Sequence, residues 1–327
     1  MTEGVPVDRI TLWLLSCLTQ KRTIVPLNNL GANMVDGTIT VDKSEMDPDM
    51  VLQTLLPLRM LVITLEAVGE SRPAFFHQAA LMAFLRFLAD SPDDYDHYVR
   101  LDAPESGRIH YLPGDYYRFT LIGLQGGDSL LDSILKALSR LPHAAPRTDA
   151  KIPFCDNWRL HCIQDAFTEA PVDRLSQTTL YDEQQLQQEA DLWSGESAFT
   201  WRWLTPARLL KDKHQREGLT REARYCRDSA DLPGALLLCR LHDSIADLLR
   251  RRGASSATRK APPPTEIEHA HLFWMDAEYR DPAGKTKEMG GVTGRIEITL
   301  PNPLSYRWWS RLILGQYLGI GQRTTFG

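Results

Sequence analysis

The sequence predicts an α+β fold of two successive units, and three observations carry that reading. Apolar runs of strand character alternate with stretches whose apolar residues recur at helical spacing. Consecutive strands without an intervening helix occur in the second half, which is not the order of a parallel βαβ array. A Gln-, Glu- and Gly-rich stretch, Asp182 to Ser197, separates the halves as a connector.

In the first half, Leu58 to Val68 is an apolar strand, and a loop with Gly69 and Pro73 leads into a helix over Ala74 to Asp90. Phe75, Phe76, Leu81, Phe84, Leu85 and Leu88 mark its buried face. Asp93 to Gly114 is irregular and acidic, with a short strand expected near Ile109 to Leu112. Tyr116 to Leu124 is the next strand, Ser129 to Leu141 the next helix, and Ile152 to Phe167 has β character around Trp158. The second half repeats the pattern with a strand at Ala198 to Leu204 and a long helix at Leu232 to Arg252. Strands at Glu266 to Tyr279 and Gly291 to Leu300 follow, joined by the polar turn Arg280 to Gly290, and the last helix begins near Ser305. That is β-α-β-β-α, a ferredoxin-like (RRM-like) unit without its last strand. The expected divisions are an extension at 1–54, a first domain at 55–181, a connector at 182–197 and a second domain at 198–327. Within the extension, a helix over Val7 to Thr19 and a β-prone patch at Gly37 to Val41 suggest no function.

Composition narrows the function classes. The chain has 327 residues, 43% hydrophobic and 24% charged, which is ordinary for a globular protein. Ile10 to Leu18 is about half a membrane span, and Glu3 and Asp8 stand where a signal peptide carries basic residues. Five scattered cysteines without C-x-x-C fit free thiols, so a cytoplasmic protein with no membrane partner is expected. Net charge is −5, but residues 200–327 carry 21 Lys and Arg against 14 Asp and Glu, so a polyanion would prefer that half.

The last nine residues, G-I-G-Q-R-T-T-F-G from Gly319 to Gly327, follow the final helix. Glycines there let backbone approach phosphate oxygens, and Arg323 can clamp them. With the preceding G-R-I-E-I-T-L-P and L-G-Q-Y-L, this end resembles the CRISPR-associated pre-crRNA-processing endoribonucleases of the RAMP superfamily. Their glycine motif has the form G-x-G-x-x-x-x-x-G-x-G. Gly319, Gly321 and Gly327 match its first three glycines, and the chain stops before the fourth. The P-L-R-M-L-V-I run from Pro57, the Phe76-His77-Gln78 helix start, Arg108 to Arg118 and Leu204 to Leu210 extend the likeness over roughly residues 55–327. The resemblance implies two tandem ferredoxin-like domains and a longer natural polypeptide, some relatives being fused to a reverse transcriptase and the CRISPR integrase.

The activity it implies is metal-independent cleavage of CRISPR repeat RNA, in which a ribose 2′-hydroxyl attacks the adjacent phosphate to leave a 2′,3′-cyclic phosphate. Such chemistry needs a base, an acid and donors for the phosphorane oxygens. The family places a histidine on or just after the first helix, which offers His97 and His77, with His110 third. Tyr98, Tyr95 and Arg100 flank His97 and are placed to orient a phosphate. For RNA binding the residues are Gly319, Gly321, Gln322, Arg323 and Gly327 of the loop, Arg307 and Arg311 of the last helix, and Arg280, Lys285 and Lys287 of the hairpin turn. Trp308 and Trp309 read as core.

Other constellations are poorer. Gly123 to Gly127 lies between strand and helix but lacks G-x-G-x-x-G spacing. Cys155 and Cys162 fall on opposite strand faces, and His269 and His271 share a face without a further ligand, so neither a metal nor any other cofactor is expected. The alternatives to an enzyme are a non-catalytic RNA-binding subunit of the same superfamily and an interaction module that delivers RNA to fused domains.

Overall fold

The computed structural model describes residues 24–26, 52, 54–73, 77–89, 95–103, 108–141, 154, 157–220, 222–254, 261–276, 278–280, 286–288 and 290–320. The chain opens with a short strand, β1 (Ile24–Pro26). The first unit then runs β2 (Leu58–Ala67), α1 (His77–Ala89), the single turn α2 (Tyr95–Tyr98), β3 (Val99–Asp102), β4 (Tyr116–Gly123), α3 (Asp128–Leu138) and β5 (Trp158–Asp165). Its sheet has the order β3-β4-β2-β5 with every pairing antiparallel, the ferredoxin-like arrangement. Both faces of β2 are covered, which explains its near-continuous apolar run. Leu61, Ile63 and Leu65 pack with Leu81, Phe84 and Leu85 of α1 and Leu131, Ile134 and Leu138 of α3. Leu58 and Met60 point the other way, into a core shared with the second unit. The expected strand near Ile109 to Leu112 is replaced by β3, ten residues earlier. Ile109 and Leu112 are exposed, and only Tyr111 makes a bridge, to Ser71.

Beyond β5 the carboxylate of Asp165 organises the return of the chain. It is 1% exposed and accepts from Phe167 N, Thr168 N, Thr168 Oγ1 and Thr179 N at 2.6 to 3.0 Å. Burial alone would raise its pKa, but these donors hold it below the ordinary carboxylate value. The loop thus fixed delivers β6 (Leu180–Tyr181) to the start of β2, where Leu180 lies opposite Arg59. The connector folds as a helix, α4 (Glu183–Trp193), started by Asp182, which accepts from Gln184 N and Gln185 N.

The second unit comprises β7 (Ala198–Ala207), α5 (Gly234–Arg251), β8 (Glu266–Met275), the small hairpin β9 (Glu278–Arg280) and β10 (Thr286–Glu288), β11 (Gly291–Thr299) and α6 (Tyr306–Leu318). Phe199, Trp201, Ile296 and Ile298 face inward against Leu237, Leu241 and Ile245 of α5 and Trp309, Leu312 and Ile313 of α6. The sheet order is β1-β7-β11-β8. In a ferredoxin-like sheet the place beside β7 belongs to the last strand; here β1 holds it, with Val25 opposite Thr200. Residues of the extension therefore complete the second unit. The helix and β-prone patch expected elsewhere in residues 1–54 lie outside the described residues. Among those described, no helix is long and apolar enough to cross a membrane.

Candidate nucleic-acid site at the domain junction

The start of β3 and the end of β4 place one side chain of each unit against the other. Leu124 N donates to Tyr98 O at 2.8 Å, and a Cβ on Gly127 would lie 3.0 Å from both Leu124 O and Tyr98 O. The Gly126-Gly127 turn is therefore the seat of Tyr98, and a side chain at 127 would displace it. Arg252, which caps the C-terminus of α5, reaches over from the second unit. Its guanidinium lies 5.1 Å from the Tyr98 ring centroid, and its Nη2 donates to Gln125 O at 2.7 Å. Burial lowers the Arg252 pKa.

His97 stands half-buried on α2, its ring 6.5 Å from that of Tyr98. Beneath it Arg100 is 3% exposed and donates through Nη1 to the carbonyls of Asp96 at 2.6 Å and Val99 at 2.8 Å. Burial pulls its pKa down to about 10, with Asp96 opposing and Arg251 and Arg252 adding to the fall. Asp96 is itself ion-paired with Arg86. Arg86 is thus taken up by Asp96 and Arg251 by Asp247, while Arg100 and Arg252 are cations at this junction with no carboxylate bonded to them among the described residues.

The terminal glycine segment begins on the same end of the first sheet. Gly319 ends α6 with φ 79°, a conformation that suits glycine, and its N–H donates to Gly315 O at 3.0 Å. Two residues earlier, the Tyr317 ring lies 5.5 Å from Tyr181, which sits opposite Leu58. Val99, Gly123, Arg59 and Leu180 form one cross-strand row. From the His97 element to the strand beneath α6 is therefore about 14 Å, three interstrand steps. Gly321, Gln322, Arg323 and Gly327 lie outside the described residues.

The other sequence candidates separate. His77 is buried completely, its ring among Tyr111, Tyr117 and Phe154 at 6.2, 5.2 and 6.4 Å, and in this arrangement it has no access to a substrate. Tyr95 is likewise core, and burial drives its pKa up. His110 is exposed and pairs through Nε2 with Glu70 Oε1 at 3.1 Å, while Arg72 holds the same oxygen at 2.7 Å. It lies past the far end of β2, about 25 Å from the junction. Arg311, expected to bind RNA, is enclosed: it is 3% exposed, with its guanidinium 5.4 Å from the Trp308 ring centroid. Trp308 and Trp309 are core, and Arg307 is half-buried. Arg280 lies opposite Thr286, and Lys287 opposite Tyr279, in the small hairpin; Lys285 lies outside the described residues. Sequence reasoning missed Arg252, and the Arg250-Arg251-Arg252 run was its only trace.

Burial of His77 has a consequence for stability. Desolvation lowers its pKa from 6.5, opposed by a hydrogen bond to the Arg108 backbone. Above pH 6.5 the ring is neutral in both states and contributes no penalty. As pH falls below that value the unfolded chain takes up a proton that the folded chain refuses, and stability drops. His77→Phe is expected to flatten this fall by up to about 1.4 kcal/mol per pH unit, measured as urea midpoints between pH 7 and pH 5.

No family model and no curated protein matches the chain. Among solved structures, a chain of a partial Cas6-RT-Cas1–Cas2 complex is 26% identical with a TM-score of 0.64, and the match covers 85% of this chain and 46% of that one. Over most of its length the chain is therefore similar to a chain of a Cas6-containing complex. A second Cas6-RT-Cas1–Cas2 complex gives the same identity, TM-score and coverage of this chain, with 29% of the other chain covered. A Cas6 product complex is 20% identical at a TM-score of 0.49, covering 82% of this chain and 96% of that one. The chain thus spans less than half the length of the two fused Cas6 chains it matches.

Proposed function

We propose that the chain is an endoribonuclease that cuts CRISPR repeat transcripts into guide RNAs. The observation that carries this reading is the meeting of His97 and Tyr98 of the first unit with Arg252 of the second, with the end of α6 about 14 Å away across the sheet. His97 takes the proton from the ribose 2′-hydroxyl as it attacks phosphorus. Tyr98 and Arg252 flank the phosphate, and the guanidinium offsets charge on the phosphorane oxygens. Solvent water protonates the leaving 5′-oxygen and His97 returns its proton to solvent, so the products are a 2′,3′-cyclic phosphate and a 5′-hydroxyl, with no metal step. Gly319 to Gly327, with Gln322 and Arg323, holds the RNA backbone, and the hairpin residues Arg280, Lys285 and Lys287 meet it further out. Arg307 adds to that surface. The fused relatives support a reverse transcriptase and a CRISPR integrase as partners, and the free thiols of Cys162, Cys226 and Cys239 suit the cytoplasm.

Incubation with repeat transcript in excess EDTA tests the reading. Products ending in a cyclic phosphate are expected. Tight binding without cutting would make the chain a non-catalytic RNA-binding relative, and neither binding nor cutting would overturn both readings.

A further inference from the structure

The face of the second sheet turned away from α5 and α6 carries a row of two arginines and a histidine. Strand alternation sends Ile296 and Ile298 of β11 into the core and Arg295 outward. Arg295 lies directly opposite Arg202 of β7 on one side and His271 of β8 on the other, and all three are exposed. Among the described residues none of the three makes an ion pair. Like charges placed directly opposite each other across strands repel, so the row works against the sheet that bears it. Next to it on the same face Thr293 lies opposite Phe273, a 55% exposed aromatic ring. On the other side Glu297 stands between Thr200 and His269 and is the acidic residue of the neighbouring row.

We propose that this face binds a single-stranded segment of RNA, with phosphates against Arg202 and Arg295 and a base stacked on Phe273. The inference rests on the reading of the chain as an RNA-handling protein, and it adds a surface separate from the junction. Two guanidinium groups and an imidazole span about 10 Å across the strands, and an aromatic ring beside them offers a π-face to any base. That pairing of unpartnered guanidinium groups with an exposed ring fits a flexible polyanion bearing bases better than it fits an acidic protein surface, which has no use for the ring. Occupation by phosphate also removes the repulsion within the row.

Arg295→Glu in the 327-residue chain tests this, because it converts a repulsive row into an alternating one. Binding to labelled single-stranded oligouridine is expected to weaken roughly ten-fold, and the slope of log affinity against log salt to fall by about 0.7 for each phosphate no longer neutralised. Thermal stability should hold or rise, since the substitution pairs opposite charges, an outcome that a merely structural arginine would not give. Binding of a hairpin RNA without single-stranded flanks should stay as in the wild type. Arg202→Gln, a milder change on the neighbouring strand, should weaken oligouridine in the same direction by about three-fold. Unchanged oligouridine affinity and salt slope in both variants would overturn the inference while leaving cleavage of repeat RNA as evidence for the junction. Equal losses on the unflanked hairpin would overturn it as well. If the wild type neither binds nor cuts RNA, the function itself fails and this surface with it.

Discussion

The His97→Ala variant is expected to cleave repeat RNA roughly 10²- to 10⁴-fold more slowly than the wild type, with RNA affinity within about two-fold. Removing a general base takes away proton transfer in the transition state and leaves ground-state binding to phosphate in place. The side chain is half-buried on a single helical turn, so truncation should lower the melting temperature only slightly. Single-turnover rates with saturating enzyme separate chemistry from binding. The informative comparison is His110→Ala. His110 has the feature usually sought in a catalytic histidine, a carboxylate partner in Glu70, yet it stands at the far end of β2 from Arg252 and from the glycine end of α6. Its variant is expected to cut at nearly the wild-type rate. A normal rate in His97→Ala with loss in His110→Ala would move the active site to that other end, and normal rates in both would remove histidine as the base.

How far the sequence discloses this architecture depends on whether one element or several decide a residue's surroundings. The long strands and helices are legible because each buries a face whose period shows locally: Phe84 and Leu85 in α1, Ile296 and Ile298 in β11. β3 is hidden because it is four residues long and places Arg100, a buried charge, where an apolar residue would have marked a strand. The spacing of Arg307 and Arg311 reads as an RNA-facing pair, but α6 is covered by α4 as well as α5, so Arg311 is enclosed and turns onto Trp308. His77 is sealed by Tyr111, Tyr117 and Phe154, which come from three distant segments. The pairing of β1 with β7 depends on residues about 175 apart in sequence, and neither partner carries a local mark of it. The helix before the glycine end is legible from its apolar period, whereas its placement about 14 Å from α2 comes from the Tyr317–Tyr181 contact and the register of four strands.

Arg252→Ala should have the second-largest effect, and it separates a clamp from a catalytic cation. The guanidinium does two things visible in the fold: it stacks near Tyr98 and ties the end of α5 to Gln125 O. Losing the hydrogen bond and the stacking interaction is expected to destabilise the chain by about 1 to 2 kcal/mol. If the same group also offsets charge on the phosphorane oxygens, the single-turnover cleavage rate should fall by about 10², more than a small loss of folded protein can explain. Arg252→Lys keeps the charge and a single donor but not the planar fork. A lysine at this position is therefore expected to recover part of the cleavage rate and little of the stability. Loss of stability with cleavage intact would confine Arg252 to the clamp, leaving the phosphate to the glycine segment and Arg323. A fall in both, with the rate partly restored by lysine, would mean that the second unit completes an active site the first cannot form alone.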